Sequence, residues 1–494
     1  MSFPASAPRG QQALQAGPLS QVMWVAGGLA AALLIVIDGA IAFTLSPRIA
    51  LGLPLVVVAT VFVVAATVYL FYRPMVGVYA AILCVPAEAF NLSFGSFGLT
   101  PTKAILVLVG GVVLARFLMT GRMRTMHPAY VAFLIGQVIT ILGLLVARDT
   151  FVVLKIWVIW SAFLAVSMLV ASASARQVKT ILYCLSVAGP ILAVESISHG
   201  GQQRLINGGL EVTERAQGSF THPAELAFWL LLALSPTLAL ALVNRGRLRW
   251  FLLASAGLSL AGLLLTLTRG AIIGFAASLL VLFAWRRFRR FTLVLVVIGG
   301  IYAAANFHAI SSSKEVSIIT TRLGTVTQGA KTGGRREQIW STTPTIIADH
   351  PLLGVGAGNF SKVSLEYGLS EKGAPFEHAH DLALTIAAER GLGALAMLLW
   401  FLAAVGKTGF AALLRRRSQL YPYALGLCAA LFGLFVDSLV DYPPGQDAVM
   451  GTLMIEVGAL IALERHMRRS RRTSLTQGPP RALQVRGASA ITRS

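Results

Sequence analysis

AELAFWLLLALSPTLALALVNRGRLRWFLLASAGLSLAGLLLTLTRGAIIGF, residues Ala224–Phe275, decides what kind of chain this is. It opens with an apolar run over about 224–243. Arg245, Arg247 and Arg249 follow, then a second apolar run over about 249–268. Arg269 interrupts with almost no loop, and a third run begins at Gly270. A helix of about 20 apolar residues is about 30 Å long, the thickness of a bilayer's hydrocarbon. The stretch therefore reads as span, basic turn, span, charged corner, span.

The whole chain repeats this pattern. It has 494 residues, of which 56% are hydrophobic and only 12% charged, about half the charged share of a soluble domain. Mean hydropathy is +0.74. Too few charges exist to face water around a soluble fold of this size, and the same figures exclude intrinsic disorder. Apolar segments fall at about 22–45, 50–71, 75–92, 103–119, 128–146, 152–173, 178–196, 224–243, 249–268, 270–285, 291–308, 390–410, 420–437 and 447–463. The expected fold class is an all-α polytopic integral membrane protein with about 12–14 transmembrane helices and one large periplasmic loop. The lower count holds if the third and fourth segments are partly re-entrant. Cys84, Cys184 and Cys428 lie inside apolar runs, with no CxxC, so neither a disulfide framework nor a zinc site is indicated. The first run follows about 20 polar and small residues with Arg9 as the single charge, which predicts a retained span rather than a cleaved signal peptide.

The net charge is +21, from 41 Lys and Arg against 20 Asp and Glu. Such a surplus first suggests nucleic acid. Sorting the charges by membrane side changes that reading. With fourteen spans, 26 of the 41 Lys and Arg fall on the side of the termini. Nearly all non-membrane Asp and Glu fall on the other, Glu464 excepted. The positive-inside rule then puts both termini in the cytoplasm. The expected organisation is a cytoplasmic N-terminal segment (1–21), spans 1–11 (22–308), a periplasmic loop with the functional motifs (309–389), C-terminal spans (390–463) and a basic disordered tail (464–494). The tail reads as an orientation signal near anionic lipid, and no nucleic-acid partner is expected.

The non-cytoplasmic side holds the chemistry. Arg269 sits between two spans, where it either snorkels to the interface or faces a polar cavity. A guanidinium there could grip phosphate oxygens bidentately. Arg335 and Arg336 precede a stretch with apolar residues at Ile339, Trp340, Thr343, Ile346 and Ile347, the spacing of a short amphipathic helix whose N-terminus favours an anion. Pro344 would interrupt it or start a second turn. Gly354, Gly356 and Gly358 are spaced G-x-G-x-G, which lacks the strand and third position of a dinucleotide fingerprint and suits a tight turn against neighbouring backbone. His378 and His380 precede the 390–410 span, which is expected to continue outward as helix through Ala379–Arg390. Two residues apart on a helix is about 200°, so the two histidines would not share a face. No HExxH, DxD or cysteine set is present, so no metal ligands and no cofactor are expected. Arginines without a metal suit a departing diphosphate, and a neutral His suits deprotonation of a hydroxyl.

At these residues the sequence resembles the O-antigen ligase and O-antigen polymerase superfamily of bacterial envelope glycan enzymes. The likeness runs from about Gln217 to Glu456. It is carried by QGSFTHPAELA (Gln217–Ala227), LTLTRGAIIG (Leu265–Gly274), GRREQIW and HPLLGVGAGNF (Gly334–Trp340 and His350–Phe360), HDLALTIAAERGLG (His380–Gly393) and DSLVDYPP (Asp437–Pro444). Arg390 stands where the resemblance has an apolar residue, and Pro344 departs in the loop helix. The resemblance implies a metal-independent, inverting transfer of a glycan from an undecaprenyl-diphosphate-linked oligosaccharide to a glycan or lipid A-core hydroxyl. It puts the catalytic histidine on His380 rather than His378 and the two diphosphate-binding arginines on Arg269 and Arg336. Secondary candidates are Arg215 and Arg335 for donor contacts, and Asp437 and Asp441 for orienting His380 or binding sugar hydroxyls.

The expected function is therefore a glycosyltransferase at the periplasmic face of a bacterial inner membrane, polymerising exopolysaccharide or O-antigen repeat units. Its partners would be the lipid-linked donor, the acceptor, membrane lipids and a chain-length regulator protein. The alternatives are ligation to lipid A-core, protein glycosylation, and a polyprenyl-linked glycan transporter or flippase. The last predicts symmetric halves with broken helices, which the sequence does not display.

Overall fold

The structure, a computed structural model, describes residues 64–94, 97–120, 126–198, 216–305, 334–371 and 374–476. It is all-helical apart from two small antiparallel hairpins, β1–β2 (Leu92–Phe94, Phe97–Leu99) and β3–β4 (Ser370–Glu371, Ala374–Pro375). In chain order the helices are α1 (Val64–Tyr72), α2 (Pro74–Leu83), α3 (Pro101–Thr120), α4 (Pro128–Leu142), α5 (Thr150–Ala171), α6 (Ala175–Ser198), α7 (Pro223–Val243), α8 (Gly246–Leu265), α9 (Arg269–Leu282) and α10 (Arg286–Ala305). They continue with α11 (Gly334–Asp349), α12 (Phe360–Ser364), α13 (Leu382–Leu413), α14 (Tyr421–Asp437) and α15 (Asp447–Thr476). Among the described residues seven helices are long and apolar enough to cross a membrane, or eight if the α1–α2 pair is one bent span.

The expected segments all reappear where they are described, but not all as spans. The first, 22–45, lies outside the described residues. The third, 75–92, is a ten-residue helix bent 116° from α1, followed by a 3₁₀ turn and β1. Ten residues rise about 15 Å, half the hydrocarbon thickness. Helix α15 runs on to Thr476, so the tail does not begin at Glu464 as expected. Glu464, the acidic exception, pairs with Arg415 at 2.9 Å.

Helix α7 is the centre of the bundle. Pro223 opens it at a position where a missing N–H costs nothing. Glu225 accepts from the N–H groups of Thr221 and His222 at 3.1 and 3.2 Å. The helix is apolar on every side, so it can be stable only when surrounded, and Leu226 through Thr237 are all buried. Helices α6, α8, α9 and α14 pack around it.

Two features position the site. First, α9 and α14 cross at Gly274 and Gly433, where an added Cβ on Gly274 would lie 2.5 Å from the Gly433 carbonyl. Small residues allow this backbone approach. Ser278 Oγ fastens the crossing by donating to the Ala429 carbonyl at 2.8 Å. The start of α9 is thereby set against the end of α14. Second, residues 334–371 and 374–379 pack on α13 around their own core of Ile339, Ile346, Phe360, Leu369 and Ala379. Here Gly354 has φ +64°, and a Cβ would overlap the Glu389–Arg390 backbone. The close approach expected of the glycine-rich turn is thus present. Opposite it, Gly391 (φ +80°) breaks α13 and admits the Leu352 carbonyl. Val355 donates to Ala388 O at 2.9 Å and Leu392 to Pro351 O at 2.8 Å across this joint.

Candidate active site at one end of the bundle

Helix α13 does not extend outward through the histidines. It starts at Leu382 behind Asp381, whose carboxylate accepts from the Leu384 N–H at 2.7 Å. His380 lies just outside with φ +50°. The expectation of opposite helix faces for His378 and His380 is therefore corrected: the chain turns sharply, and their rings lie against each other, tilted by 52°, with centroids 4.3 Å apart. Trp340 of α11 holds this turn, donating from Nε1 to the Ala379 carbonyl at 3.0 Å. Ala379 N–H in turn donates to Thr385 Oγ1 at 3.2 Å.

Asp441 is the hub. His380 Nδ1 lies 3.2 Å from its Oδ1, and Arg336 donates from Nη2 to its Oδ2 at 3.3 Å. The Tyr442 N–H also donates to Oδ1 at 2.9 Å. Burial pushes the Asp441 carboxyl up. The His380 hydrogen bond, the charges of His380 and Arg336 and the Tyr442 N–H outweigh it and hold the group below the usual carboxylate range. Asp441 is nearly covered, while His380 and Arg336 keep open faces. Helix α11 begins at Gly334, so Arg336 stands in its first turn, where backbone N–H groups add to the attraction for an anion.

His378 sits behind His380 against the Tyr442 ring, with centroids 5.5 Å apart. Its pKa is pushed down to about 4, chiefly by burial, then by His380 and Arg336 against the pull of Asp441. It is a neutral wall of the site at physiological pH.

Arg269 is the first residue of α9. Its neighbour Gly270 has no room for a Cβ because Asp437 Oδ1 fills the space. Asp437, the last residue of α14, is fully buried, and neither carboxylate oxygen has a hydrogen-bond partner among the described residues. The following residue, Ser438, accepts from the Leu382 N–H at 3.0 Å, which ties this corner to the start of α13. Leu267 and His380 are the two non-glycine residues with positive φ among the described residues. One precedes Arg269 by two positions and the other is the expected base. Strain of this kind costs about 1–3 kcal/mol and persists where surroundings over-determine it.

Of the expected site residues, His380, Arg336 and Asp441 meet directly, and Arg269 and Asp437 stand at the adjoining corner. Arg335 is helical with no described side chain, and Arg215 lies outside the described residues. Sequence reasoning missed His378 and Tyr442 as walls of the site and ranked Asp441 as secondary. His378, His380 and Asp441 also bring ligand-type atoms within 4.8 Å of one another, a trio that could hold a metal ion. The spacing argument had not foreseen such a group. Arg336 occupies the second oxygen of the same carboxylate, so any cation there would face a guanidinium.

Residues 253–401 match the model of the family described as O-Antigen ligase. The match supports the O-antigen ligase and polymerase superfamily. The matched region contains Arg269, Arg336, Trp340 and His380 and ends before Asp437 and Asp441. A solved structure described as "Structural coordination of polymerization and crosslinking by a peptidoglycan synthase complex" is similar at 17% identity over 69% of this chain and 97% of that one, with a TM-score of 0.38. No curated protein matches the chain.

Proposed function

We propose that this O-antigen ligase/polymerase-type membrane enzyme transfers a glycan from a polyprenyl-diphosphate donor to a saccharide hydroxyl at the periplasmic face. The observation that carries the reading is His380 and Arg336 on the two oxygens of Asp441. With Nδ1–H donated to the carboxylate, His380 keeps the Nε2 lone pair free to take a proton. The acceptor hydroxyl loses its proton to Nε2, its oxygen forms the bond to the anomeric carbon, and the carbon–phosphate oxygen bond breaks. The diphosphate leaves with the electron pair, and Arg269 and Arg336 neutralise its charge. Attack opposite the leaving group inverts the anomeric centre. The proposed chemistry uses no metal, since Arg336 supplies positive charge where a cation would otherwise sit.

We place both termini in the cytoplasm, on the charge distribution, and the site on the other side of a bacterial inner membrane. Polymerisation of exopolysaccharide or O-antigen repeat units is the preferred reaction, and ligation to lipid A-core the alternative. Purified protein given a defined lipid-linked donor should lengthen or transfer the glycan, with activity unchanged by chelator. Loss of activity on chelation, restored by a divalent metal, would overturn the metal-free step. In a deletion strain, single repeats on the lipid carrier support a polymerase, and long chains on the carrier support a ligase. Movement of the donor across liposomes without bond formation would replace both with a flippase.

A further inference from the structure

Arg390 is the residue that the site does not use. It lies on α13 at the break, 5% exposed, with Nε and Nη2 lacking hydrogen-bond partners among the described residues. Its guanidinium carbon sits 3.9 Å from the centroid of the Trp160 ring. The adjacent Glu389 accepts from the backbone N–H groups of Gly358 and Phe360 and also attracts Arg390 electrostatically, without a hydrogen bond to its Nε or Nη2. A buried guanidinium with two nitrogens unpartnered among the described residues is an expensive arrangement that a further hydrogen-bonding anion would relieve.

The same side chain lines a cavity of about 490 Å³ between α4, α5, α13, α14 and α15. The cavity follows α13 from Leu382 to Leu413 and is mostly apolar, with Phe133, Met397, Phe401 and Phe435 among its walls and Gln137 and Ser438 as further polar residues. Phe410 and Phe432 on its rim are exposed, so it opens sideways from the bundle. For a bundle embedded in a bilayer, that opening faces lipid. One cation in the wall of a long, mostly apolar slot matches the anionic head of a lipid whose hydrocarbon lies along the rest of α13.

We propose that this cavity is a binding site for a lipid with a phosphate head, the phosphate on Arg390 and the hydrocarbon along α13. None of Arg269, Arg336 and His380 lines the cavity, and the proposal does not rest on the glycosyltransferase reading. A membrane phospholipid such as phosphatidylglycerol and a polyprenyl phosphate share the required chemistry.

The test is thermal unfolding of the purified full chain in neutral detergent, titrated with phosphatidylglycerol, polyprenyl phosphate or phosphatidylcholine. A ligand that binds only the folded state raises the Tm with concentration. The wild type should rise by several degrees with one or both anionic lipids and not with phosphatidylcholine. The more effective anionic lipid identifies the source. Arg390→Leu should abolish the anionic response while unfolding, without lipid, at or above the wild-type temperature. Gly406→Phe, where an added Cβ meets nothing within 4 Å, fills the slot and should weaken the response with Arg390 intact. Arg336→Ala should keep it. An equal response to phosphatidylcholine, or an anionic response that survives in both Arg390→Leu and Gly406→Phe, would overturn the proposal. A response lost in Arg336→Ala but kept in Arg390→Leu would move the lipid to the clamp and overturn it equally. A Tm for Arg390→Leu well below wild type in every lipid would show a purely structural role for Trp160 and Arg390.

Discussion

His380 Nδ1 lies 3.2 Å from Oδ1 of Asp441, on a backbone turn with φ +50° that holds the ring there. The carboxylate fixes which nitrogen of the ring carries the proton and so which one faces outward. Asp441→Asn keeps the size of the side chain and removes the charge. Transfer should fall by about 10²-fold, the lower end of what a positioned base contributes, with KM for the donor little changed. Steady-state kinetics on a defined donor check this. An unchanged kcat would leave Asp441 as packing only.

Trp340 connects the arginine helix to the histidine turn through one hydrogen bond to Ala379. Trp340→Phe retains the ring packing and loses the donor. The expected cost is about 1 kcal/mol in stability, together with a fall in kcat of about tenfold from a loosened turn. A variant that loses stability without losing kcat would argue against positioning.

His378 gives the site a pH signature. Its folded pKa of about 4 lies below the unfolded value of about 6.5, so the unfolded chain binds the extra proton between them. The stability it contributes is complete above about pH 6.5 and is lost as pH falls toward 4. His378→Phe should flatten the Tm profile across that window. Asp441 acts in the same direction at lower pH, since its folded pKa is also depressed. A wild-type Tm that stays level from pH 6.5 to 4.5 would contradict the buried neutral imidazole.

Gly354 lies where a Cβ would overlap the Glu389–Arg390 backbone. Gly354→Ala should destabilise by more than about 1 kcal/mol, read as a lowered Tm. It should also lower transfer by shifting the segment that carries Trp340.

Much of this was legible in the sequence. The apolar runs locate the helices because membrane spans need length and hydropathy, which both show in one dimension. Scarce polar groups on the non-cytoplasmic side drew attention to Arg269, the Arg335–Arg336 pair and the two histidines, and the family resemblance chose Arg336 and His380 among them. The joint between Gly354 and Gly391 was half visible, as a glycine turn without its target. What hid was anything set by tertiary contact. The His378–His380 ring contact required a turn that helical extrapolation from α13 erased. Asp441's central place depends on how α14 and α15 are joined, which spacing along the chain does not reveal. Arg390 showed only as an odd residue until the cavity beside it was seen.

The central claim is that His380, and not its neighbour His378, takes the proton. The most direct measurement is transfer by purified His380→Ala and His378→Ala from a defined lipid-linked donor under matched conditions. The account predicts a loss of at least about 10²-fold for His380→Ala, with the donor still bound, and a loss under about tenfold for His378→Ala. Near-wild-type transfer by His380→Ala would contradict it.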